Sequence, residues 1–244
     1  MADLRRSTWR SIAAFQRLLG EHAADSELLE DDDYVASAVP GSASSIINAA
    51  VPLDGSPIAP HLDELTRFFD GIRKWGVWIE PSATADAEAL TSKGLVLDST
   101  PVLMASTLDN VERDEHVRVV RVSMDDVGMV NDAAYGVPAG TLGDPLSCLP
   151  GRAVHAYGIK EGRETVSVAV IQDVGHDAFV SMVATLPPYR GERLASRVLA
   201  HALHEAEERG LTTTSLQASK LGQSIYARLG YRALGEIHLY ERRP

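Results

Sequence analysis

Arg190, Gly191, Arg193 and Arg197 stand close together, between an apolar strand pattern and a helix pattern. The strand pattern runs to Thr185 and is ended by Pro187-Pro188, since proline has no amide to donate to a ladder and restrains the residue before it. After the prolines, Leu194, Ala195, Val198, Leu199, Ala202, Leu203 and Ala206 recur with helical spacing, and Gly210 stands where such a helix closes. This spacing predicts that Arg190 to Arg193 form the first turn of a long helix entered from a buried strand. A helix start carries free amides and the positive end of the dipole, glycine allows close approach to the backbone, and guanidinium groups add charge. The chemistry offered is phosphate or pyrophosphate binding. A surface turn with solvated arginines has the same local pattern, so spacing alone leaves both readings open.

The stretch resembles the acetyl-CoA-binding motif of the GCN5-related N-acetyltransferases (GNAT), Arg/Gln-x-x-Gly-x-Gly/Ala. Arg190 opens the match, followed by Gly191, Glu192, Arg193, Leu194 and Ala195, with Arg193 where the family usually has its central glycine. Downstream, Ser224-Ile-Tyr-Ala-Arg-Leu-Gly-Tyr231 is similar to the family's aromatic-Tyr-x-x-Leu-Gly-Phe/Tyr segment, with Ile225 in the aromatic slot. Two motifs in the right order are more specific than either alone. The resemblance implies a GNAT-like α/β fold, a mixed, mostly antiparallel sheet flanked by helices, with acetyl-CoA as the acyl-donor substrate. It further implies that Val183, Ala184 and Thr185 pair with the pantetheine arm, that Arg190 to Ser196 hold the pyrophosphate, and that Tyr226 protonates the leaving thiolate. A tyrosine of ordinary pKa, near 10, is protonated at neutral pH, as a general acid must be. No general base is visible: Phe179, Val180, Ser181, Met182 and Val183 include none, and His176 and Asp177 fall at the strand's far end. An amine of low pKa needs no dedicated base.

These groups need elements to position them. Residues 4–19 pattern as an amphipathic helix closed by Gly20, and Glu27 to Asp33 as an acidic, solvated connector. Residues 34–39 and 45–53 read as strands, 60–75 as a helix with Leu62, Leu65, Phe68, Phe69 and Ile72 on one face, 76–80 as a strand, 83–93 as a helix, and 95–106 as a strand broken at Pro101. This succession resembles the rear part of an acetyltransferase domain without its phosphate loop, so residues 1–110 are expected to be a degenerate copy of the same fold. The charged run Asp109 to Glu115 marks the boundary, and 116–244 is the expected acetyl-CoA-binding half. In it, 116–122 reads as a strand, Ser123 caps a helix to about Asp132, 135–150 is a loop-rich stretch that the resemblance implies lines the acceptor pocket, 153–160 and 164–172 form a hairpin, and 212–217, 219–229 and 231–240 follow as strand, helix and closing strands.

The chain has 244 residues and a formal net charge of -11, which argues against a general nucleic-acid-binding face. Cys148 is the only cysteine, so no intrachain disulfide forms and a reducing, cytoplasmic setting fits. No apolar run reaches membrane-spanning length. His201, His204, Glu205, Glu207 and Glu208 lie on one helix but offer too few ligands for a closed metal site, so no metal is expected. The sequence supports an N-acetyltransferase acting on a small-molecule amine by direct attack in a ternary complex, with a homodimer compatible. Two other readings stay open: a non-catalytic CoA- or ligand-binding sensor, and an acyltransferase using a longer acyl donor.

Overall fold

The computed structural model describes residues 2–110 and 118–243. The chain opens with helix α1 (Ala2–His22), followed by strands β1 (Glu27–Glu30), β2 (Tyr34–Ala38) and β3 (Ala49–Pro52), helix α2 (Leu62–Phe68), strand β4 (Trp75–Ile79), helix α3 (Thr84–Ser92), and strands β5 (Val96–Ser99) and β6 (Val102–Thr107). The remainder contains strand β7 (Val120–Arg121), helices α4 (Met124–Tyr135) and α5 (Gly143–Ser147), strands β8 (Val154–Glu161), β9 (Glu164–Val174) and β10 (Asp177–Thr185), helix α6 (Leu194–Glu208), strand β11 (Thr213–Ala218), helix α7 (Gln223–Arg228), and strands β12 (Arg232–Glu236) and β13 (His238–Arg242).

The same succession occurs twice. An antiparallel three-strand meander leads through a helix to a parallel strand, then through a second helix to an edge strand: β1-β2-β3, α2, β4, α3, β5 and β8-β9-β10, α6, β11, α7, β12. The strand that follows each succession, β6 after the first and β13 after the second, is exchanged. One sheet has the order β1-β2-β3-β4-β13-β5 and the other β12-β6-β11-β10-β9-β8-β7. β13, from the end of the chain, therefore fills a slot in the first sheet, and β6 fills the matching slot in the second.

Three apolar clusters hold this arrangement. α2 and α3 cover one face of the first sheet through Leu62, Leu65 and Leu90. α6 and α7 cover one face of the second through Val198, Leu199, Leu203 and Tyr226. Between the sheets, α1 and α4 share a core in which Trp9, Ile12 and Phe15 meet Val127, Val130, Phe179 and Leu239. α1 is pinned at its start by Arg5, which forms an ion pair with Glu80 and donates to the Leu234 carbonyl at 2.8 Å.

Several boundaries differ from the sequence expectation. α1 runs through Gly20 to His22, because a Cβ on residue 20 would meet Leu28 Cδ1 at 2.9 Å: this glycine serves close packing, not helix closure. Part of the acidic connector is the edge strand β1, paired antiparallel to β2 and compatible with charge on an exposed edge. The helix expected over 60–75 ends at Phe68, and Phe69 reaches the core by stacking on Trp75 with centroids 4.6 Å apart. Ser123 caps α4 as expected, in a reciprocal capping box with Asp126. Most of the expected boundary 109–115, and the first two residues of the strand expected over 116–122, lie outside the described residues.

Candidate functional site

The site is built where β10 and β11 part. They pair in parallel only from Asp177–Thr213 to Val180–Leu216. Beyond that rung β10 shifts register against β9 between Ser181 and Ala184, with Met182 held at φ 49°. Such a bulge bends the strand that carries it. β11 meanwhile stays in register with β6 through Ala218, so it does not follow. Leu186 donates to the Val166 carbonyl at 2.9 Å, and by alternation Ala184 also faces β9. Val183 and Thr185 therefore turn their backbone groups toward the gap. The sequence-predicted trio Val183, Ala184 and Thr185 thus sits on the parted strand, with two of its three members facing the opening.

At the mouth of the gap stands the loop before α6. The sequence predicts Arg190 to Arg193 as a first helical turn; they are instead a loop. Arg190 is extended, Gly191 has φ +89° with no atom within 4 Å of where a Cβ would stand, and Arg193 is the N-cap at φ +60°. The helix begins at Leu194, because the left-handed residue redirects the chain just before it. A left-handed backbone at residue 193 also accounts for glycine being usual there: the geometry is kept, at a conformational cost to arginine. The first helical bond runs from Arg197 N to Arg193 O at 3.2 Å. Among the described residues, the amides of Gly191, Glu192, Arg193, Leu194, Ala195 and Ser196 have no hydrogen-bond partner. Leu194 is a core side chain and can contribute only its amide, whereas Glu192 and Arg193 are exposed. Arg190 does not point at these amides. Its Nη2 donates to the Ala134 carbonyl at 2.7 Å and its Nε to the Thr185 carbonyl at 3.2 Å, bracing the loop against α4 and β10.

In the first sheet the equivalent strands β3 and β4 also part, after the rung Ala50–Val77, but the helix start beyond them is closed. At the matching helix start, the buried Asp86 of α3 accepts from the amides of Ile58 and Ala59 at 3.2 and 2.9 Å. A carboxylate of the chain itself fills the place where an external anion would bind.

Tyr226 lies on the α6 side of the second sheet, only 9% exposed, packed edge-on against Tyr231 with centroids 5.9 Å apart. Burial, and then the neighbouring Tyr135, push its pKa above the ordinary phenol value, so the hydroxyl stays protonated. Among the described residues, no group hydrogen-bonds that hydroxyl.

On the opposite side, Asn131 of α4 was not marked by any motif. It is fully buried, and its Nδ2 donates to the carbonyls of Val127 at 2.9 Å and Met182 at 3.2 Å, tethering the bulge. The signal available in the sequence was an amide on the apolar stripe formed by Met124, Val127 and Val130. His176 serves a turn, its carbonyl accepting from Thr212 and Thr213, and Asp177 is satisfied by Ser11, Thr213 and Ser215. His201 and His204 pair with Glu205 and Glu208 along α6. Among the described residues, the one group with metal-ligand proximity is Asp31, His61 and Glu64, beside the first sheet and away from the gap.

Residues 165–234 match the family model described as Acetyltransferase (GNAT) domain. No protein of curated function matches the sequence. A solved GCN5-related N-acetyltransferase from Kribbella flavida is 20% identical, with 97% of this chain and 96% of that chain covered and a TM-score of 0.71. A GNAT-family acetyltransferase structure from Novosphingobium aromaticivorans is 19% identical, covering 98% and 96%, with a TM-score of 0.61. A GCN5-related N-acetyltransferase from Sphaerobacter thermophilus is 16% identical, covering 90% and 76%, with a TM-score of 0.57. At these identities the likeness is one of fold, and it extends over both successions of elements.

Proposed function

We propose that this chain, which has the fold of the GCN5-related N-acetyltransferases and a GNAT acetyltransferase domain in its second half, transfers an acetyl group from acetyl-CoA to an amine. The two halves in this reading are 1–110 and 116–244, with β6 and β13 exchanged between them, and the second half alone holds the acyl donor. The observation that carries the proposal is the adjacency of two backbone surfaces: the parted edge of β10 at Val183 and Thr185, where Arg190 occupies only the Thr185 carbonyl, and the free amides from Gly191 to Ser196. A pantetheine arm has amides that can pair with the first, and a pyrophosphate suits the second. Both would otherwise be left to solvent.

The chemistry follows from the layout. Holding the thioester along β10 fixes its carbonyl for attack and removes much of the entropic barrier. A backbone amide of the gap, from Val183 or Thr185, donates to the carbonyl oxygen as it gains charge. The amine nitrogen bonds to the carbonyl carbon, the carbon–sulfur bond breaks, and the nitrogen gives up one proton to water. Tyr226, kept neutral by burial, supplies a proton to the departing sulfur and regains one from solvent. The test is thiol release from acetyl-CoA across a panel of amines. Turnover with at least one amine is expected. Thermal stabilisation by CoA without turnover for any amine would instead support a sensor, and preference for long-chain donors would support a different acyltransferase.

A further inference from the structure

Three buried polar atoms without partners converge on the α4 side of the gap: Asn131 Oδ1, Ser181 Oγ and Gln217 Nε2. Their meeting follows from register. Val180 pairs with Leu216, so Ser181 and Gln217 are the next residues of two parallel strands, at the rung where the strands begin to part. Both turn to the same face: Ser181 stands opposite Val170 and Gln217 opposite Leu103, and those two belong to the core shared by α1 and α4. Asn131 reaches the same place from α4, since it bonds the carbonyl of Met182, the residue after Ser181. That bond and the one to Val127 occupy its amide nitrogen and fix which atom is left over. A buried polar atom without a partner is costly, so three on one rung point to a ligand that satisfies them.

We infer that Asn131, Ser181 and Gln217 form the cradle for the amine end of the acceptor, on the opposite face of the second sheet from Tyr226. The inference rests on the acetyltransferase reading and deepens it by naming the acceptor side. The three groups are neutral. The carboxylate on this face of β10, Asp177, stands four residues back, about 13 Å along the strand, and is bonded to Ser11, Thr213 and Ser215. An ammonium group buried there would lose its hydration with no counter-charge to replace it. The cradle therefore takes a primary amine as its free base, with the two N–H bonds directed to Asn131 Oδ1 and Ser181 Oγ, the lone pair left for the thioester, and Gln217 Nε2 donating to an oxygen carried beside the amine on the same acceptor molecule. This makes a class of acceptor: amines of low basicity, which are unprotonated at neutral pH and need no base on the protein.

Ser181→Ala and Gln217→Met each remove an unsatisfied atom while keeping the packing, and they test the inference by separating binding from stability. If the atoms serve a ligand, each variant keeps its melting temperature or gains about 2 °C, while KM for the amine rises about 10-fold and KM for acetyl-CoA stays within about twofold. Gln172→Leu, which removes another unpartnered buried amide on the same face but two rungs away, leaves both constants unchanged. An unchanged amine KM in both Ser181→Ala and Gln217→Met, with wild-type turnover intact, overturns the cradle and leaves the transferase reading standing. So does a fall in melting temperature with both KM values raised alike, which is the pattern of structural roles. Absence of wild-type turnover with every amine overturns both.

Discussion

Tyr226 and Arg193 are the two residues at which the account is most exposed. Tyr226 is asked for one proton, and its hydroxyl is held neutral by burial on the side of the sheet where the sulfur would leave. Tyr226→Phe keeps the ring contact with Tyr231 and removes only that proton. The expected result is a fall in kcat of about 100-fold with acetyl-CoA affinity unchanged, read by steady-state kinetics and calorimetry. Arg193 carries a left-handed backbone that costs an ordinary residue about 1–2 kcal/mol, against about 0.5–1 kcal/mol for glycine's extra freedom in the unfolded chain. Arg193→Gly should therefore gain up to about 1 kcal/mol in denaturant unfolding and retain acetyl-CoA binding. Loss of binding would mean that the guanidinium, not the amides, grips the phosphates. Tyr226 and the Arg190–Ser196 loop were legible in the sequence because short motifs carry them. Asn131, Ser181 and Gln217 were not, since nothing local announces that three neutral residues on two strands and a helix will share one rung.

The elements divide along the same line. α6 could be read from its apolar period, because its packing face is written every three to four residues. The loop before it patterns as helix because the left-handed turn at Arg193 uses a residue type that does not advertise it. β1 was hidden by its acidic composition, and the short reach of α2 by apolar residues that continue the pattern after the helix stops. The strand exchange is invisible to any local reading, since β13 and β6 look like ordinary closing strands and only their partners differ. Gly76 records the exchange at close quarters. A Cβ there would meet Leu239 Cδ1 at 2.7 Å and the Ser45 carbonyl at 2.9 Å, so β13 fits beside β4 only over a glycine. Gly76→Ala should cost about 1–3 kcal/mol, measured by urea unfolding. Unchanged stability would mean that β13 is not seated as described.

At the scale of the whole molecule, each sheet contains a strand from the other half, so neither sheet is complete without both ends of the chain. Glu241 is the electrostatic expression of this. It lies on β13 and accepts from Ser45 at 2.8 Å and Arg243 at 2.6 Å, with Lys74 at 2.9 Å. Burial would raise its pKa, but Arg243, Lys74 and Ser45 together outweigh burial and hold it at about 2, against an ordinary 4.5. A carboxylate with a lowered folded-state pKa contributes its full stabilisation above the unfolded value and loses it as pH falls from about 4.5 toward 2. The wild type should therefore lose stability over that window more steeply than Glu241→Gln, and both sheets should melt in one transition. The second sheet alone keeps its helix-start amides open, because Asp86 closes the equivalent place in the first. That asymmetry predicts one acetyl-CoA per chain. Titration calorimetry measures it directly: saturable binding of acetyl-CoA at a stoichiometry of about one is the predicted result, and no heat of binding up to millimolar acetyl-CoA would contradict the account.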